Sequence, residues 1–162
     1  MKKLLVCLIP LTLPLFSCTQ KKQYRNDCSV DELMAVVLAE IPVELGYVDL
    51  PQTHFLYYFE EEDLPSNRRV QQSALSENIN EVGVFYTEDP NEQKQLREEL
   101  TDYLEDLREE KSTFVASYAP TEVPKLTAAQ VRTFGNYTVY AVLSPQDQSA
   151  VWQAVEALLS DA

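Results

Sequence analysis

The sequence predicts a single α+β domain: a small, mostly antiparallel sheet packed with three amphipathic helices, in the order helix, strands, helix, hairpin, helix. Three observations predict it. One apolar stripe, Leu96, Leu100, Tyr103, Leu104, Leu107, Phe114 and Val115, recurs at helical spacing through an otherwise charged stretch. The run Glu81 to Tyr86 is short, apolar and rich in the β-branched and aromatic residues that suit a pleated surface. Gly135-Asn136 separates two alternating runs, as a tight hairpin turn requires.

The elements follow in order. Ser29-Val30-Asp31-Glu32 has the form of a capping box, and Leu33, Val36, Val37 and Ile41 follow on one face, predicting a helix from about Val30 to Ile41 that Pro42 stops. His54 to Phe59, dense in aromatics, is read as a strand, and Glu60 to Asn67 as a polar loop. Arg69 to Leu75 is read as a second strand or an irregular segment, and Glu81 to Tyr86 as a strand. Asp89 caps the longest helix, Pro90 suits its first position and Glu92 favours the positive end of its dipole. Continued to about Ser117, that helix spans roughly 40 Å at 1.5 Å per residue, and Tyr118-Ala119-Pro120 ends it. Gln130 to Phe134 and Tyr137 to Leu143 form the hairpin. Ser144-Pro145-Gln146-Asp147 then opens a final helix with Val151, Trp152, Val155, Leu158 and Leu159 inward.

Ahead of this domain lies a segment with the marks of export. Lys2 and Lys3 precede an almost wholly apolar run of 13 residues, Leu4 to Phe16. A spanning helix needs about 20 residues, and Pro10 and Pro14 interrupt this one, whereas a signal-peptide core has this length. The run ends in Leu15-Phe16-Ser17-Cys18, which resembles the lipobox of bacterial lipoproteins. The expected organisation is a signal peptide over 1–17, a lipidated Cys18 with a polar tether over 18–28, and the domain over 29–162. A thiol accepts a diacylglyceryl group as a thioether, and two buried acyl chains anchor stably where one does not. Lys21, Lys22 and Arg25 in the tether would rest against anionic headgroups. The expected location is the bacterial cell envelope, outside the cytoplasm and held to the membrane by lipid.

Composition narrows the function. With 26 acidic and 13 basic residues the net charge is −13, and loss of Lys2 and Lys3 with the signal makes it more negative. Such a surface repels phosphate backbones, so no nucleic acid is expected as partner. Cys7 leaves with the signal and Cys18 with the lipid, so Cys28 has no intramolecular disulfide partner and is read as a small residue beside a helix start. His54 is the only histidine, and no nucleophile motif such as G-x-S-x-G accompanies it, so it is read as an ordinary strand residue. The acidic run Glu60-Glu61-Glu62-Asp63 lacks the spacing that converges oxygens on a hard cation and is read as a solvated loop. No metal, cofactor or catalytic residue is assigned. Asn136-Tyr137-Thr138 fits a glycosylation acceptor, but Asn136 is explained by its turn.

Alternation along the strands supplies the one lead to a ligand surface. Tyr137, Val139, Ala141 and Leu143 share a face, and Thr138, Tyr140 and Val142 share the other; Phe55, Tyr57 and Phe59 are likewise opposed to His54, Leu56 and Tyr58. With the purely apolar faces turned to the helices, Tyr58 and Tyr140 become candidate ligand-binding residues on a partly open face. Helices on both sides of the sheet would make them core instead.

Several of these features together, the lipobox, Glu81-Val82-Gly83-Val84-Phe85, the long charged helix ending in Tyr118-Ala119-Pro120, Lys125-Leu126 and Gly135-Asn136-Tyr137, resemble a family of small bacterial lipoproteins built on a domain of unknown function. The likeness covers about residues 30 to 160, and residues 60–80 depart from it. It implies export and an α+β domain and transfers no activity or functional residue. The expectation is a non-enzymatic, lipid-anchored module that binds an envelope protein, a wall component or a small ligand. The alternative is an envelope-directed hydrolase working through a pair of carboxylates.

Overall fold

The computed structural model describes residues 22–50, 57–59 and 64–160. The expected export segment at 1–17, Cys18, His54 with the first half of its expected strand, and the acidic run at 60–63 lie outside the described residues. The elements are α1 (Val30–Ala39), β1 (Tyr47–Asp49), β2 (Arg68–Ser73), β3 (Glu81–Tyr86), α2 (Pro90–Tyr118), α3 (Val123–Ala128), β4 (Gln130–Phe134), β5 (Tyr137–Val142) and α4 (Pro145–Leu159). The strands form one antiparallel sheet in the order β1-β2-β3-β5-β4. The class is α+β, as the sequence predicts, with α3 as a short fourth helix.

Local chemistry accounts for the boundaries. Ser29 and Glu32 form the capping box: the Ser29 N–H donates to Glu32 Oε2 (2.8 Å) and the Glu32 N–H to Ser29 Oγ (3.2 Å). Asp89 Oδ1 accepts from the Asn91 N–H at 2.7 Å to start α2, and Ser144 Oγ accepts from the Asp147 N–H at 3.1 Å to start α4. The two-residue hairpin loop places Gly135 first, at φ 58°, where a residue with Cβ is strained. Phe114, expected on the buried stripe of α2, is 61% exposed near the helix end. The expected strand over His54–Phe59 is corrected where it can be followed: Tyr57 and Tyr58 are helical and Phe59 lies in a bend. The run of aromatics there reflects packing onto α2, since Tyr58 and Phe59 both contact the Tyr103 ring.

Helices cover both faces of the sheet. Against one face, Leu33, Met34 and Val37 of α1 and Val151, Trp152, Val155 and Leu159 of α4 meet Val82, Val84, Tyr137, Val139 and Ala141. Against the other, Leu96, Leu100, Tyr103, Leu104 and Leu107 of α2, with Leu126 of α3, meet Val70, Phe85, Tyr140 and Val142. The central strands β3 and β5 are therefore apolar on both sides, whereas edge strands β1 and β4 carry Asp49, Gln130 and Arg132, charges and amides that discourage edge-to-edge pairing.

Residues 22–28, read from sequence as a tether, lie against the domain. Tyr24 bridges Ser160, the Arg25 N–H donates to the Leu159 carbonyl (2.8 Å), and Asn26 Oδ1 accepts from the Asn136 N–H (3.1 Å). Lys22 pairs with Glu156, and Arg25 with Asp27 at 2.6 Å. Tyr137 donates its hydroxyl to the Cys28 carbonyl. This docking occurs at the Tyr86–Tyr137 end of the central strand pair.

Candidate functional site

The opposite end of that pair holds a buried polar group. Glu81 opens β3 and is 7% exposed. Strand alternation points it, with Gly83 and Phe85, to the α2 side. Two tyrosine hydroxyls donate to its Oε1: Tyr103 from the stripe of α2 at 2.7 Å and Tyr140 from β5 at 2.6 Å. Tyr140 reaches it because its register partner is Gly83. A Cβ on Gly83 would stand 2.1 Å from Tyr140 Cε1, so the ring lies directly over the glycine backbone. The rings form a ladder, with Tyr58 4.9 Å from Tyr103, Tyr103 5.9 Å from Tyr140 and Tyr140 6.2 Å from Phe85.

Burial, and then the negative charge of Glu81, pushes both the Tyr103 and Tyr140 hydroxyls well above the usual tyrosine range. They remain protonated donors throughout ordinary pH. Burial likewise pushes Tyr58 up to about 12, helped by the hydrogen bond it donates to Glu110 Oε2 at 2.9 Å.

Glu81 faces a cleft of about 490 Å³ between the C-terminal half of α2, the β2–β3 connection and α3. Ile79, Leu107, Phe114, Val115 and Leu126 supply apolar walls; Glu110, Lys111, Gln72 and Asn78 supply the remaining charged and amide groups. Two further contacts hold the walls in place. Glu122 Oε2 accepts from Lys125 Nζ (2.6 Å) and from the Ile79 N–H (3.0 Å), tying the β2–β3 connection to α3. The Arg108 guanidinium donates to the carbonyls of Leu126 (2.9 Å) and Ala129 (2.7 Å), tying the end of α3 to α2 and satisfying orphan helix acceptors. Among the described residues no group of three or more His, Cys, Asp or Glu side chains is placed to hold a metal ion, and no helix is long and apolar enough to cross a membrane.

The two tyrosines singled out from sequence therefore have different fates. Tyr140 has 0% exposure, so the partly open face expected around it is corrected to core. The cause is that α2 covers this side of the sheet while α1 and α4 cover the other. Tyr58 is half-buried, outside any strand, and touches the site through Tyr103 and Glu110. Sequence reasoning missed Glu81, Tyr103 and the cleft. A signal for the first was present: a glutamate begins an otherwise apolar strand that alternation buries on both faces.

The site thus belongs to an α+β domain with a covered sheet and, among the described residues, a cleft lined in part by the Glu81 carboxylate. No family model matches this chain, and no curated protein or solved structure matches it significantly.

Proposed function

We propose that the protein is a lipid-anchored, non-enzymatic binding module of the bacterial cell envelope, and that the cleft beside Glu81 is where it holds a small ligand. One observation carries the binding reading. A carboxylate is held at a fixed orientation by two tyrosine hydroxyls in a recess with apolar walls, the form that small-ligand sites take. Both tyrosine hydroxyls are committed as donors to Glu81, which suits a fixed binding surface.

The lipid anchor rests on Leu15-Phe16-Ser17-Cys18 after its short apolar core. The arrangement of the domain suits such an anchor. Residues 24–26 dock at the Gly135–Asn136 end of the sheet, and Glu81 lies at the other end of β3, about 17 Å away at 3.3–3.4 Å per residue. A membrane at the first end leaves the cleft facing outward.

Protein-observed NMR of the full chain in detergent, against a library of small fragments, tests the binding reading. Resonance changes should gather at Ile79, Glu81, Leu107 and Val115; hits confined to other surfaces would overturn it. Mass spectrometry of the membrane fraction tests the anchor, which fails if Cys18 is unmodified or if Cys18→Ala leaves membrane retention unchanged.

A further inference from the structure

We propose that the outer edge of β4 is a second binding surface, which takes an extended, acidic polypeptide segment as an added strand. This surface is separate from the Glu81 cleft and does not depend on what that cleft holds.

Backbone geometry provides the first argument. β4 pairs only with β5, and Gln130, Arg132 and Phe134 lie opposite Ala141, Val139 and Tyr137. A two-residue hairpin loop makes its closing pair, Phe134 and Tyr137, a hydrogen-bonded one. Alternate residues therefore bond inward, and Val131 and Thr133 turn their N–H and C=O groups outward. Among the described residues no other strand pairs with them. Both ends of this window are closed: Arg108 donates to the Ala129 carbonyl at 2.7 Å, and Gln93 to the Gly135 carbonyl at 2.8 Å.

Side-chain placement provides the second. A recess flanks the window on each face of the sheet. On the α4 side, about 350 Å³ is bordered by Gln130, Arg132, Ser149 and Gln153. On the α2 side, about 200 Å³ is bordered by Gln93, Lys94, Arg97 and Thr133. Successive side chains of an added strand point to opposite faces, so two neighbours would enter one recess each.

Charge selects what those neighbours are. The Arg132 guanidinium lies over the Trp152 ring at 4.9 Å, a contact that keeps its planar fork in place. Neither Arg132 nor Arg97 forms a salt bridge among the described residues. The nearby carboxylates already have cations: Glu98 pairs with Lys94 at 3.4 Å, and Glu156, at the border of the α4-side recess, pairs with Lys22. A chain of net charge −13 thus presents an arginine on each face of one open edge. Carboxylates at adjacent positions of an incoming strand complement that arrangement, each accepting from a guanidinium. A second copy of this chain does not. Two β4 windows paired about a twofold axis would set Arg132 against Arg132, and like charges directly opposite are unfavourable.

The test uses a matched set of capped peptides, Thr-Val-Glu-Glu-Val-Thr and its versions with Gln-Gln or Lys-Lys at the centre. Each is titrated into the full chain in detergent with amide resonances as readout. The Glu-Glu peptide should shift the Val131 and Thr133 amides and slow their exchange with solvent, while Ile79 and Leu107 at the cleft stay in place. It should bind at least about tenfold more tightly than the Gln-Gln peptide, and the Lys-Lys peptide should bind most weakly. Arg132→Gln should reduce Glu-Glu affinity about threefold or more with Gln-Gln affinity unchanged. Thr133→Pro removes one outward N–H without touching the bonds to β5, and should abolish binding of the Glu-Glu and Gln-Gln peptides alike. Should that variant fail to fold, slowed exchange of the two amides in the parent chain carries the same test of strand addition. If the Gln-Gln or Lys-Lys peptide binds as tightly as Glu-Glu, the selection for acid is overturned. If no peptide shifts Val131 and Thr133, or if these amides shift with protein concentration alone, the edge does not receive a partner strand and the inference falls.

Discussion

Both faces of the sheet are buried, but they are built from different materials. On the α1–α4 side, Val82, Val84, Val139, Ala141 and Leu143 meet Leu33, Val37, Val151 and Val155, hydrocarbon against hydrocarbon. On the α2–α3 side the same two strands turn Glu81, Gly83, Phe85, Tyr140 and Val142 inward, and a carboxylate with two hydroxyls stands at one end. The first face is mainly hydrocarbon, its polar groups including the Tyr137 hydroxyl that donates to the Cys28 carbonyl and the Gln148 amide that donates to the Ala141 carbonyl. The second carries a charge whose desolvation must be offset by its own hydrogen bonds, and no packing argument explains why a charge should be there. A polar node that an apolar one could replace marks the face on which function is to be sought.

The comparison can be tested by substitution, beginning with the largest effect. Tyr140→Ala should cost about 3–5 kcal/mol in a denaturant titration, because a fully buried ring is removed. A cost below about 1 kcal/mol would mean that α2 does not seal this face. Leu33→Ala, on the opposite face, should cost about 2–5 kcal/mol by cavity formation alone. Tyr103→Phe should then cost about 1.5–3 kcal/mol, since it deletes a hydrogen bond to a charged group while keeping the ring. Equal stability of Tyr103→Phe and the parent would show that the hydroxyl contributes nothing to holding Glu81.

The pH dependence probes both faces, since burial also pushes the Tyr137 hydroxyl on the α1–α4 side up to about 12. Tyr103 and Tyr140 have folded-state pKa values raised above an unfolded value of about 10. An unfolded chain therefore loses these protons first as pH rises, and binds fewer than the folded one. Their contribution is fully present below about pH 10 and is lost as pH climbs towards the raised folded values. Thermal melts between neutral and strongly alkaline pH should fall in stability above about pH 10, and Tyr103→Phe should flatten that fall. An unchanged slope would mean the alkaline loss arises elsewhere. The smallest effect belongs to the α1–α4 side: Ser29→Ala removes one arm of the α1 capping box and should cost about 1 kcal/mol, read as a few degrees in Tm.

Much of this fold was legible in the residues. Asp89-Pro90 and the stripe from Leu96 to Val115 announce α2, and Gly135-Asn136 announces the hairpin, because caps, helical period and turn chemistry are local signals. What escaped was short or tertiary. β1 has three residues and exists because β2 pairs with it, and α3 has six residues, its end stitched to Arg108. Alternation correctly divided Tyr137, Val139 and Ala141 from Thr138, Tyr140 and Val142. It could not say that both sets would be covered, since that depends on where α2 returns across the sheet. Glu81 and Tyr103 lie 22 positions apart, and nothing local couples them.

The bridge between Tyr24 and Ser160 sets the two ends of the described chain side by side. A chain closed on itself in this way can be cut elsewhere without losing its architecture. Joining Ser160 to Tyr24 through a short linker and opening new ends in the exposed Ser76–Glu77 turn would give a circular permutant with the same sheet order. In that rewired molecule the new ends emerge beside the cleft. A fluorescent reporter fused there would test whether the cleft takes up the ligand proposed for it.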